Sequence, residues 1–448
     1  MALKLLLGDA IRLSRVAWRH HGSSVGWSLV QSLAGRGLGL LTFLIVASHL
    51  DLTTLGWVSL TLSLIGVAQA SCLQPVVITC IRSSETLSLG KVRSALFRLA
   101  VGSYLIVLSA SLILVFVTKL SVLSWMLGVA GVSLVSAPLS TSLEASLKRE
   151  LRIADFSRVA TAAGVIGALI TVGIAACGLP ELSLLLQSAW TNALTALGLY
   201  LHIRRHPLRL RGGTADFPWP DYWNLARGSL TWGFSLRLDQ LFIGALLGPA
   251  AVGAYSIAYR LVYAVVDVCA SALGPVLLAN FARLERVQVG ASHSRAQGLA
   301  VLGAGTGVTT VGVVSLPLAE QLNIDHPHNV AIVVNCLIPF GIAAVLSATG
   351  IAALNAIGDS KSIRSLYVQR LLAGCLFIPC AALAAGTPGV ALGVLLAETA
   401  PWWWRAQEMG RATSSPPLGF LRHDVRLLVA ACVPAMLISF IALQLFSQ

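Results

Sequence analysis

Of the 31 Lys and Arg residues in this chain, 27 fall in alternate connections between its apolar stretches. They are Lys4, Arg12, Arg15 and Arg19; Arg82, Lys91, Arg93 and Arg98; Lys148, Arg149, Arg152 and Arg158; Arg204, Arg205, Arg209, Arg211 and Arg227; Arg283, Arg286 and Arg295; Lys361, Arg364 and Arg370; Arg405, Arg411, Arg422 and Arg426. The other connections hold Lys119 alone, and Arg36, Arg237 and Arg260 lie inside apolar stretches. Positive charge is retained on the cytoplasmic side of a spanning protein. One alternation therefore sets both the spans and an N-terminus-inside orientation.

Composition points the same way. Hydrophobic residues make up 56% of the chain and charged residues 11%, against about 25% charged in soluble domains. A net charge of +13 would suggest nucleic acid in a soluble protein. Here the cations sit in short loops facing anionic lipid, so no nucleic-acid partner is expected. The eight cysteines are scattered through apolar stretches without metal-ligand spacing and read as core residues. No cofactor or metal is expected.

A helix needs about 20 apolar residues to cross the hydrocarbon. Such stretches run at approximately 25–49, 55–79, 95–118, 121–144, 157–178, 181–202, 223–248, 253–279, 298–320, 329–355, 363–386, 388–410 and 426–446. The expected fold is an all-α integral membrane protein of 12–13 transmembrane helices, in two six-helix bundles around a central cavity. Its parts are a cytoplasmic amphipathic N-terminus (1–24), a first bundle (25–202), a cytoplasmic linker (203–221), a second bundle (222–411), and a cytoplasmic segment with one extra helix (412–448). Tight turns are expected between Gly248 and Gly253 and at Thr387-Pro388-Gly389.

The halves resemble each other. One hairpin turns at Leu55-Gly56-Trp57-Val58-Ser59 and another at Val252-Gly253-Ala254-Tyr255-Ser256. Each is preceded by a helix with a mid-membrane Arg (Arg36, Arg237) and followed by one with an inner Pro (Pro75, Pro275). Parallel repeats place a substrate path at the interface between halves. The pairs Gly35/Gly39, Gly303/Gly307 and Gly389/Gly393 read as close helix packing. Trp402-Trp403-Trp404 read as interfacial anchors.

Ionisable groups in hydrocarbon cost about 2.5–3.5 kcal/mol each on insertion scales, so they face water or a partner. Six are expected there: Arg36, Arg237, Asp239, Arg260, Asp267 and Glu398. Asp239 and Arg260 should lie nearly level on adjacent antiparallel helices, with Asp267 two turns further on. Asp239–Arg260–Asp267 thus reads either as an ion-pair chain or as part of a functional set; Asp239, Asp267 and Glu398 are the coupling or ion-pair candidates. Arg36 has no acid in its own stretch and is flanked by Gly35, Gly37 and Gly39. Guanidinium groups grip phosphate with forked hydrogen bonds, so Arg36, Arg237 and Arg260 are candidates for binding a diphosphate. The alternative is that each pairs with a carboxylate or helix end on another span.

The run Leu238-Asp239-Gln240-Leu241-Phe242-Ile243-Gly244, then Leu247 to Leu261 (LGPAAVGAYSIAYRL), resembles the hallmark hairpin of the Wzx-type polysaccharide flippases. Their superfamily also holds the MATE exporters and the lipid II flippase. The segment from Ala47 to Trp57 is similar to a degenerate version of the family's N-terminal pattern. His49 and Gly56-Trp57 stand where an Arg and a Gly-Leu-Tyr are common. The resemblance implies alternating access and movement of an undecaprenyl-diphosphate-linked oligosaccharide to the outer leaflet of the bacterial inner membrane. It implies membrane lipid, a polysaccharide polymerase and export machinery as partners, and a cationic lumen built from Arg36, Arg237 and Arg260. A thirteenth helix departs from the usual twelve or fourteen.

Two rival readings exist. A MATE-like cation-coupled exporter would favour an acid where Arg36 stands. A membrane polysaccharide polymerase or ligase would need a sizeable external loop. The longest such connection, near Asn323 to Asn329, is a handful of residues, and no catalytic constellation is visible. The chain is expected not to be an enzyme.

Overall fold

The computed structural model describes residues 31, 33–82, 89–113, 121–150, 152–207, 217–281, 284, 286–357, 360–413 and 416–446. The amphipathic helix expected at 1–24, the linker residues 208–216, and Lys119 lie outside the described residues. Those described form helices and turns, with no strand among them.

The helices in chain order are α1 (Leu33–Ala47), α2 (Leu52–Cys72), α3 (Gln74–Arg82), α4 (Leu89–Ile113), α5 (Ser121–Arg149), α6 (Ile153–Ala176) and α7 (Pro180–Arg205). Then follow α8 (Trp219–Ser235), α9 (Leu238–Leu246), α10 (Pro249–Phe281), α11 (Arg286–Gln321), α12 (Pro327–Ile357), α13 (Ser360–Thr399), α14 (Trp402–Thr413) and α15 (Pro417–Phe446). Nine helical segments among the described residues are long and apolar enough to cross a membrane. Their outer faces carry bare Ile106, Leu169, Leu372, Leu383 and Phe440, which only a lipid surround makes tolerable.

Local sequence sets the boundaries. The Asp51 carboxylate accepts the Thr54 N–H at 3.0 Å and caps α2. The Thr54 hydroxyl and amide hold that carboxyl below its usual range. Pro75 lacks an N–H donor, and α2 stops at Leu73 before α3 resumes. Pro275 has no such effect, since α10 runs unbroken to Phe281. Gly248 (φ 87°) makes the turn between α9 and α10. The turn expected at Thr387-Pro388-Gly389 falls slightly earlier, at Ala385 and Gly386 (φ 62°), and folds α13 into two legs. There Gly389 packs on the Ala381 carbonyl and Gly393 on the Ile378 backbone.

Helices α4–α7 pack around one another with α2 and α3, while α10–α15 pack among themselves, with α9 against α10 and α13 and α8 against α13. The two groups meet where α2 lies along α8, α9 and α10, and α3 along α8. At the end carrying the α1–α2 and α9–α10 turns, here the hairpin end, the contact is reciprocal. A methyl group on Gly56 would run into the Pro249 carbonyl, and one on Gly253 into the Leu52 carbonyl. The two glycines that sequence likeness relates therefore seal the same joint from opposite sides.

The extra helix, α15, packs on α11, α12 and α14 and away from that joint. Cys432, Ala435, Ser439 and Ala442 form its buried face. Near its start Asp424 accepts from Arg405 Nη2 at 2.6 Å and from Gln297 Nε2 at 2.6 Å. Arg405, expected in a cytoplasmic connection, is instead 3% exposed. Its other nitrogen donates to the Leu346 carbonyl, and its guanidinium lies over Trp402. Trp402 is likewise no surface anchor: it is buried and donates to Ser347 Oγ at 3.0 Å. Only Trp403 of the three is exposed. Arg405→Met leaves Asp424 buried without its cation and should lower stability by about 3–5 kcal/mol, whereas Arg405→Met with Asp424→Leu should recover most of the loss. Thermal melting of the detergent-solubilised protein reads both.

Candidate substrate site

Helix α1 runs antiparallel to α10 across the joint between the two groups, and two cations mark its course. Arg36 Nε lies 3.3 Å from Asp267 Oδ2, and Arg36 Nη1 also donates to the Asp267 carbonyl. Further toward the hairpin end, the Arg260 guanidinium stacks 3.7 Å from the centre of the Phe43 ring. Arg36 is thus paired by a carboxylate on another span, one of the two readings its sequence left open. Both members remain about one-third exposed, so water or a ligand reaches them.

The expected chain Asp239–Arg260–Asp267 does not form. Asp239 is buried on α9 and accepts from the Tyr255 hydroxyl at 2.7 Å and from the Gln240 N–H at 2.8 Å. A hydroxyl on the neighbouring helix supplies the hydrogen bond that a buried carboxylate requires. Tyr255, Tyr259 and Tyr263 stack down α10, with Phe340 of α12 beside them. Asp239 thus meets the first ring of this column, while Arg260 on the same helix meets Phe43.

The seventh span is broken, which helical depth counting misses. Helix α8 ends at Ser235, Arg237 adopts φ −122°, ψ 1°, and α9 starts at Leu238 with Arg237 as its cap. The half-helix N-terminus carries partial positive charge, and Arg237 stands on it. No carboxylate among the described residues lies within 4.0 Å of Arg237. Its guanidinium reaches across the joint to Gly66 of α2, where a Cβ would stand 3.9 Å from Nε. Beside it, Ser63 of α2 donates to the Gln240 side-chain oxygen, so the two groups are also bonded at this level.

Glu398 has a partner that sequence reading placed elsewhere. Arg370, counted among the cytoplasmic cations, is mostly buried within α13 and sits 2.8 Å from Glu398 on the other leg. Trp232 of α8 lies under its guanidinium at 5.6 Å. The signal was present: Arg370 falls inside the stretch drawn at 363–386.

A cavity of about 670 Å3 opens within the first group of helices, between α1, α2, α3, α5, α6 and α7. Its walls carry Gln69, Gln74, Gln187 and Asn192 with Ser140, Thr141, Ser188, Thr191 and Thr195. Gly35 and Gly39 belong to this wall and have nothing within 4 Å of an added Cβ. Their expected role in close packing is therefore not what they do: they leave the chamber open. Gly307, set against Val265, does pack. A second hollow of about 470 Å3 shares Gln31, Gly35, Glu144 and Phe156 with the first, and adds Arg36 and Lys148. Lys148 binds Glu144 at 2.6 Å. No cluster of three or more metal-ligating side chains occurs among the described residues.

Solved structures share this all-helical membrane fold. The lipid II flippase MurJ in an inward closed conformation superposes with a TM-score of 0.64 at 11% identity, covering 93% of this chain and 97% of its own. A Vibrio cholerae MATE transporter gives 0.57 at 15% identity, covering 89% and 98%. An inward-facing multidrug-resistance MATE transporter of the MOP superfamily gives 0.54 at 13%, covering 90% and 95%. No curated protein sequence matches the chain. The family described as "Polysaccharide biosynthesis protein" matches residues 45–304, more than half of the 448 residues, and the chain belongs to that family. The resemblance drawn from two hairpins holds.

The Arg36–Asp267 contact bridges the two helix groups. A double-mutant cycle with Arg36→Gln and Asp267→Asn, read by thermal melting, should give a coupling of about 0.5–3 kcal/mol. Strictly additive effects would show that the pair does not hold the groups together.

Proposed function

We propose that this protein moves an undecaprenyl-diphosphate-linked oligosaccharide across the bacterial inner membrane, from the cytoplasmic to the outer leaflet, for polysaccharide assembly. The polymerase and export machinery would act after it. The end opposite the hairpin end carries nearly all the loop cations and would lie in the cytoplasm. The two helix groups would rock about their joint.

One observation carries the reading of the site. Among the described residues no carboxylate lies within 4.0 Å of Arg237, which is set on the N-terminus of a half-helix and faces the joint. Broken helices of this kind point their positive ends at anionic substrate groups in transporters. A diphosphate would supply a counter-charge in direct contact, and the fork of the guanidinium fits its oxygens. Arg36 would join it by exchanging Asp267 for phosphate. That exchange removes a bond between the two groups and so links arrival of cargo to their separation. Arg260, already stacked on Phe43, would add positive potential without direct contact. Asp239, with no cation within 4.0 Å among the described residues, is the coupling candidate of the second group.

A cationic small molecule is a poorer cargo. Among the described residues Glu144 is the one acid on the 670 Å3 cavity wall, and Lys148 already holds it.

In cells lacking their own flippase, Arg237→Ala at normal protein level should lower surface polysaccharide by about tenfold or more, the scale of one lost charge-assisted hydrogen bond. Lipid-linked repeat should accumulate, as measured by mass spectrometry. Arg237→Lys should recover only part, because a point charge does not reproduce the fork. Full export by Arg237→Ala would refute the site.

A further inference from the structure

We infer that the chamber inside the first helix group is a glycan subsite, a neutral pocket for the sugars of the cargo while the diphosphate stays with Arg237 and Arg36. This rests on the reading of the chain as a flippase and adds a second, separate place for the other half of the substrate.

The chemistry of the wall carries it. Amides and hydroxyls in the interior of a membrane bundle are costly unless they meet each other, water or a ligand. Gln69 donates to Ser133 at 3.0 Å, and Thr191 returns its hydroxyl to the Gln187 carbonyl. The side-chain amides of Gln187 and Asn192, however, have no hydrogen-bond partner among the described residues, and both face the cavity. A primary amide offers two donors and an acceptor in one plane, which matches neighbouring hydroxyls of a sugar. Cations are absent from this wall among the described residues, so phosphate has nothing to hold it here. Phe156 at the shared mouth adds an aromatic edge. The volume lies within the range of about 300–1,000 Å3 typical of small-ligand sites.

Position ties the chamber to the cation. Gly66 lines the cavity from α2, and Arg237 lies against that same residue from the opposite helix group. The hollow holding Arg36 opens into the chamber through Gln31 and Gly35. A molecule with an anionic waist and a polyhydroxyl head would thus meet both environments at once.

The test uses full-length protein in two hosts that lack their own flippase. One makes the complete lipid-linked repeat. The other lacks the later glycosyltransferases and makes the lipid diphosphate with a single sugar. Outer-leaflet and accumulated lipids are measured by mass spectrometry. Gln187→Leu combined with Asn192→Leu should lower translocation of the complete repeat by roughly tenfold and leave the single-sugar lipid within about twofold of wild type. Gly164→Phe should give the same split by filling space. Gly164 lines the chamber and has nothing within 4 Å of an added Cβ, so that variant removes no hydrogen bond. Transport of the single-sugar lipid reports on folding in each case. The subsite is overturned if the chamber variants carry the complete repeat normally while Arg237→Ala impairs both lipids. Equal impairment of both lipids by the chamber variants also overturns it. If the wild-type protein carries neither lipid in these hosts, the flippase reading itself is what fails.

Discussion

The cost of charge in hydrocarbon organises this molecule. Each ionisable group in its interior is matched to a partner, a ring or an opening. Arg370 takes Glu398, Arg405 takes Asp424, Asp239 takes a tyrosine hydroxyl, and Arg260 takes the face of Phe43. Those four solutions lie within a helix group or rest on one ring, and they fix helix neighbours. Two cations are treated differently. Arg36 is paired across the joint and partly wet. Arg237 is left to a helix terminus and a glycine. A charge held by a movable partner, or by none, is where a ligand gains most by binding.

The joint is built from contacts of unequal strength. At the hairpin end, backbone meets backbone at Gly56 and Gly253, and neither glycine tolerates a side chain without displacement. Such a seal depends on fit and loses its dispersion contacts once parted by even a small gap. Further in, Ser63 bonds Gln240, and beyond that stands the Arg36–Asp267 pair. A charged cargo can compete for the ion pair but not for the glycine seal. Separation under load would therefore begin at the charged level.

Much of the fold was legible in the sequence, because a spanning helix is forced to declare itself. Length, apolarity and alternating loop cations located every helical pass that the described residues show, and turn chemistry placed Gly248. Less of the site was legible. Charge counting assigned Arg370 and Arg405 to loops, since linear position does not reveal that an acid waits on a neighbouring helix. Depth arithmetic put Asp239 level with Arg260, which is a statement about height alone. Azimuth is what such counting omits, and it is Tyr255 that meets Asp239. The break at Leu236 and Arg237 left no Pro or Gly mark, so it was invisible. Gly35 and Gly39 carry a spacing that packed and cavity-lining glycines share, and only the neighbours tell them apart.

The two helix groups meet in a reciprocal glycine contact but are unlike in chemistry. Measured from the reciprocal contact, Arg36 stands sixteen residues before Leu52 and Arg237 twelve before Pro249, so the paired arginines differ by about one helical turn. The reciprocity seen at the seal thus does not extend to the charges. Arg237, Asp239, Arg260, Asp267, Arg370 and Glu398 all belong to the second group, while the first presents amides and hydroxyls around its chamber. A carrier of one small ion has little need of that division. A cargo with a charged waist and a neutral, hydroxyl-rich head requires both surfaces, set side by side and free to part.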